Sequence, residues 1–120
     1  MKVTVYHRDI EDKNAYTRVA VVHVPKEHAS IRKAALEYAY RWTQNIADSW
    51  SHPAGHMDKN DNVEIVGELP VVGGKTFGLR SSMMGDRFYL GDGKVYDVAM
   101  LGFDEVPAVE EAKASYENAA

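Results

Sequence analysis

The chain has 120 residues, 45% of them hydrophobic and 27% charged, with no cysteine and a formal net charge of −4. That length carries one core and is too short for two, so a single domain over 1–120 is expected. The composition excludes a disulfide framework, a thiolate metal site and a cysteine nucleophile. The mild acidity argues against a general nucleic-acid binder, which needs a basic face to release counterions, and is too weak for a charge mimic of DNA. The opening "MKVTVYHRD" has no apolar run of signal-peptide length, and no window approaches the roughly 20 apolar residues of a membrane helix. A cytoplasmic protein is expected.

In chain order, "KVTVYH" (2–7) alternates and is β-branched, which predicts a strand; "DIEDKN" (9–14) is a charged turn. "YTRVAVVHV" (16–24) is a second strand, pairing with the first as an antiparallel hairpin that ends at Pro25. Ile31, Ala34, Ala35, Tyr38, Ala39, Trp42 and Ile46 then recur at three- and four-residue steps. That stripe predicts a long amphipathic helix over about 29–47, with Ser30 as its N-cap and Glu37–Arg41 as an i,i+4 pair. "DSWSHPAGHMDKNDN" (48–62) reads as a long loop, mobile or functional. "VEIVGEL" and "KTFGLR" are expected strands around "PVVGG", whose Gly73-Gly74 suits a hairpin turn. "DRFYL" and "KVYDVAML" form a further hairpin through Gly91, Asp92 and Gly93. Pro107, with Glu110 and Glu111 behind it, starts a short C-terminal helix or tail. The expected fold is α+β: a mostly antiparallel sheet of about five or six strands, the 29–47 helix on one face, and the short C-terminal helix.

Few residues carry chemistry. His52, His56 and Asp58 in "HPAGHMD" are a usable donor set for zinc or another transition metal, the basis of an alternative reading as a metal-binding protein or metal-dependent hydrolase. Pro53 and Gly55 forbid the regular helix of the HExxH motif, and solvated loop histidines are the simpler explanation. "DKNDN" fails the calcium-loop template, which needs Gly and Glu where Val63 and Leu69 stand. "VGGKT" lacks the first glycine of a P-loop and is followed by an extended stretch. No serine sits in a nucleophile elbow, and His7 and His23 could be neighbours on paired strands. Gly85-Asp86 marks a bend, with Asp86 placed to cap backbone N–H groups there. The aromatics Tyr6, Tyr16, Tyr40, Trp50, Tyr89 and Tyr96 exceed what a core needs, and such residues are enriched where proteins dock.

"LRSSMMGDRFYLGDGKVYDVAMLGF" resembles a group of small uncharacterised phage, prophage and plasmid proteins. They carry an Arg-Ser-x-Ser-x-Gly-Asp element before a hairpin that closes on Gly-Phe or Gly-Trp. Arg80, Ser81, Gly85, Asp86, Gly102 and Phe103 fit it, while Met83 replaces the second Ser. "YRWTQNIADSW" is similar to their helix end, with Gln44 in place of Asn. The resemblance implies a mobile-element origin and no particular activity.

The function expected is therefore a small non-enzymatic accessory protein, without cofactor, that binds another, host-encoded protein and inhibits a host defence complex. Tyr40, Trp50, Tyr89 and Tyr96 are its expected contacts. A homodimer is an alternative assembly, and no membrane is involved. Nucleic-acid binding through Lys26, Arg32, Lys33 and Arg41 is a third, disfavoured reading.

Overall fold

The computed structural model describes residues 1–117. Among the described residues nine strands and three short helices follow in chain order. They are β1 (Lys2–Arg8), β2 (Ala15–His23), α1 (Lys26–Ala29), α2 (Arg32–Arg41), β3 (Val63–Ile65), β4 (Val71–Val72) and β5 (Lys75–Thr76). Then come β6 (Arg87–Leu90), β7 (Val95–Val98), β8 (Phe103–Glu105), α3 (Ala108–Glu111) and β9 (Ser115–Glu117). The main sheet runs β3-β2-β1-β6-β7-β8, antiparallel throughout, and β9 adds to β2 in parallel. β1 is central, held by β2 on one side and by β6, some eighty residues later, on the other.

The long helix predicted over 29–47 is not there. One turn, α1, is broken at Ile31, whose backbone is extended (φ −123°, ψ 125°), and only the ten residues of α2 follow. Ser30 is the C-cap of α1 and caps nothing at the start of α2. α2 ends where Trp42 leaves helical geometry (φ −89°, ψ 7°) and the Thr43 hydroxyl bonds back to the Ala39 carbonyl. The phase of the stripe differs too. Ala35, Leu36 and Ala39 are buried, whereas Ile31 and Ile46, the ends of the expected stripe, are 63% and 66% exposed. Glu37 pairs with Lys33, not Arg41.

The core lies between α2 and one face of the sheet, filled by Val3, Val5, Ala20, Val22, Phe88 and Leu90. The small Ala35 and Ala39 let α2 approach closely. A bulge where Val5/Ala20 pairing gives way to Tyr6/Arg18 leaves Val19 as the extra residue, so Val19 and Ala20 both reach the core. The opposite face carries Tyr6, Tyr16 and Tyr89 around Tyr116 of β9, with ring centroids 4.9, 5.5 and 6.4 Å from it. The segment expected as a C-terminal helix thus holds one turn, α3, and then a strand; residues 118–120 lie outside the described residues.

β4 and β5 form a separate two-stranded ribbon that turns on Gly73 and Gly74 (φ 60° and 76°), the left-handed pair a tight hairpin requires. Every residue from 71 to 77 is exposed. Among the described residues no helix is long and apolar enough to cross a membrane.

Candidate functional site

The chain's main polar cluster gathers where β1 ends, beneath the loop that leads into β6. Asp86, fully buried, is its hub. It accepts both guanidinium nitrogens of Arg80 (2.7 and 2.9 Å) and the backbone N–H groups of Arg8 and Met83 (both 2.8 Å). Arg80 also donates to the carbonyls of Ser81 and Arg8, so Arg80 and Asp86 clasp the 79–86 loop onto β1. Between them Gly85 has φ +95°, and a side chain on it would strike the Arg8 guanidinium lying against it. The segment from Arg80 to Asp86 is therefore a structural clasp, and Asp86 does cap the bend.

His7, Ser82 and Asp86 come together here, a set that strand pairing alone assembles. Ser82 Oγ lies 3.1 Å from His7 Nε2 and 2.8 Å from Thr43 Oγ1. The geometry is not that of a nucleophilic triad. Asp86 Oδ2 is 3.8 Å from the same Nε2, so the imidazole does not bridge acid and nucleophile through opposite nitrogens. Ser82 is 2% exposed and out of a substrate's reach. Burial drives the His7 pKa down from 6.5 to about 4, against the pull of Asp86 and with the push of Arg80. The neutral imidazole is a packing group set edge-on to Trp50. His23 is no neighbour of it, because His7 pairs with Thr17 and His23 with Lys2.

The 48–62 loop is cross-braced. Asp58 Oδ2 accepts the N–H groups of Ile46, Ala47 and Asp48, and Asp48 in turn accepts those of His56, Met57 and Asp58. The Asp48 amide, then those of Ile46 and Ala47 and the Arg41 guanidinium, hold the Asp58 carboxyl below the usual range against the opposing effect of burial. Trp50, 1% exposed, pins the loop from inside, its indole N–H donating to the Arg80 carbonyl at 2.9 Å.

Two of the three expected metal donors are engaged in these and neighbouring bonds. Asp58 is committed as above. His52 Nδ1 accepts the Ala54 N–H (3.0 Å), which leaves Nε2 to donate to the Thr76 carbonyl (3.2 Å). Among the described residues no three His, Asp or Glu side chains converge as a metal site, so His52, His56 and Asp58 do not form one. Three of the four expected nucleic-acid cations also have carboxylates: Arg32 meets Asp92 at 2.8 Å, Lys33 meets Glu37 at 3.9 Å and Arg41 meets Asp58 at 3.2 Å.

The four expected docking aromatics separate. Trp50 is core, which removes it from any surface. Tyr89 belongs to the tyrosine cluster, and its hydroxyl donates to Glu111 at 2.6 Å, which pushes its pKa up to about 12. Tyr40 and Tyr96 flank one surface, where α2 runs beside the β7–β8 connection. Tyr40 packs edge-on against Phe103 and lines a cleft of about 290 Å³ with Met100. Tyr96 lines another, of about 410 Å³, with Leu101 and Leu36. Met100 and Leu101 project between them, 82% and 90% exposed. The sequence conceals that apolar tip, because "VAML" reads as the end of a strand.

Comparison with known proteins finds no matching family model, no matching curated protein and no matching solved structure.

Proposed function

We propose that this chain is a non-enzymatic, cytoplasmic accessory protein of a phage or other mobile element, and that it binds a host protein and inhibits a host defence complex. The observation that carries the binding reading is the Met100–Leu101 tip. Two adjacent large apolar side chains, 82% and 90% exposed, stand between clefts lined by Tyr40 and Tyr96. An isolated exposed leucine needs no explanation, but a projecting apolar pair beside two aromatic-lined clefts is the layout of an interface anchor. Glu37 lines the cleft with Tyr40, and Arg32 and Lys33 line the one with Tyr96, so the rim carries both signs of charge. The sealed Ser82 and misaligned His7 support the non-catalytic part, and the clasp residues shared with the phage and plasmid group support the origin.

The test is affinity capture from host lysate with wild-type protein, M100D/L101D and the control Val72→Asp, each first checked for an unchanged melting temperature. A stoichiometric protein held by wild type and the control but lost by M100D/L101D is expected. Capture that ignores the tip substitution, or no capture, would count against the reading. Defence-inhibitor genes next to its own gene would support the inhibitory role.

A further inference from the structure

A second surface, chemically unlike the tip, lies beyond the clasp. A cleft of about 650 Å³ runs along the ends of β1 and β2, and a smaller one of about 170 Å³ adjoins it. They share Arg8, Asp9, Ile10 and Arg80 as lining, so they form one groove. Arg8 stands at their junction. Among the described residues its guanidinium has no hydrogen bond and no carboxylate within 4.0 Å, and the same holds for the Lys13 ammonium in the smaller cleft. The Arg8 guanidinium lies against the Gly85 backbone, in space that a side chain there would take. Asp86, the nearest buried carboxylate, is already saturated by Arg80 and two amides.

Apolar side chains lie beside this cation. Ile10, Met83 and Met84 are 87%, 52% and 55% exposed on the smaller cleft. At the other end of the groove the charge reverses, with Glu11 and Glu68 on the rim. The small cleft falls below the roughly 300–1,000 Å³ of small-molecule pockets, so it suits one anchoring side chain. We propose that the groove takes an extended peptide segment of a partner protein, an Asp or Glu of the segment forking onto Arg8 with apolar neighbours against Ile10, Met83 and Met84. Basic residues further along would meet Glu11 and Glu68. A nucleic-acid strand is the poorer occupant, since a continuous polyanion would meet those same carboxylates and Asp9. Arg suits this anchor because its planar fork matches a carboxylate in two bonds, and unbranched methionines repack around varied side chains. This groove is independent of the Met100–Leu101 tip.

Selection of a random heptapeptide library on the immobilised full chain provides the probes. Enriched peptides are expected to carry Asp or Glu beside an apolar residue. Their Kd, measured by fluorescence anisotropy, should rise at least tenfold in Arg8→Ala and severalfold in Arg8→Lys, and stay unchanged in M100D/L101D. Among the described residues the Arg8 guanidinium makes no hydrogen bond, so both variants should keep the wild-type melting temperature, and Arg8→Lys serves if Arg8→Ala does not. Enrichment without an acidic residue, equal affinity in the Arg8 variants, or no enrichment would overturn the proposal. So would tighter binding of a single-stranded oligonucleotide that is lost in Arg8→Ala. Failure at the tip with success here, or the reverse, separates this inference from the function proposed above.

Discussion

His7 shows how one buried side chain sets a pH response. Its pKa falls from 6.5 to about 4 chiefly because burial disfavours the imidazolium, while Asp86 pulls it up and Arg80 pushes it further down. Between those two values the unfolded chain protonates this imidazole and the folded chain does not. Stability therefore rises with pH from about 4 to 6.5, by about 3 kcal/mol for this group, and is flat in it outside that window. Melting temperatures from pH 4 to 7 should show that slope, and His7→Gln should flatten it; an unchanged slope would mean that another group titrates. Asp48 and Asp58 act lower down. Their carboxyls are held below the usual range, so their stabilisation is present above the unfolded value and is lost as pH falls through the folded one. Little of this was legible in the sequence. His7 and Ser82 are 75 residues apart and meet only because β1 pairs with β6, a register that no local pattern encodes.

At the scale of elements, strands read better than the helix. The alternation in 2–7 and 16–24 and the Gly73-Gly74 and Gly91-Asp92-Gly93 turns mark strand pairs that the structure contains. The helix was overextended because alanines and tyrosines fit several phases of a 3.6-residue period. Leu36 and Thr43 lie on the buried side, whereas Ile31 sits in an extended break and Ile46 in the loop. The 48–62 loop lacked any sequence signal for its bracing, since an aspartate that gathers amides ten residues away looks like any polar loop residue. Asp58→Asn removes the charge that holds the amides of Ile46, Ala47 and Asp48. Hydrogen exchange at those three amides should accelerate at least tenfold, with β1 and β2 amides little changed. Uniform acceleration across the chain would instead assign Asp58 to global stability.

For the whole molecule, β9 extends the sheet beside β2 and sets Tyr116 on its second face. Tyr116 brings three other tyrosines together and accepts a hydrogen bond from Arg87 at 3.0 Å, while Arg87 also lies over the Tyr16 ring. A three-residue parallel strand is too short to announce itself, so this half of the fold was hidden where a helix was expected. Tyr116→Ala should cost about 2 kcal/mol, less than the roughly 3–5 of a fully buried aromatic because the ring is half-buried. Tyr116→Phe should cost about 1 kcal/mol, the hydrogen bond alone. Urea unfolding would measure both, and a neutral Tyr116→Ala would show that β9 adds nothing to the sheet's stability.

The exposed ribbon has a practical consequence. Val72 is 66% exposed on β4, and the chain contains no other residue that would compete for a thiol-directed dye. Val72→Cys therefore places a single labelling point on a part of the molecule that lines neither the groove nor the tip. Its attached fluorophore can report partner binding at either surface without occupying one.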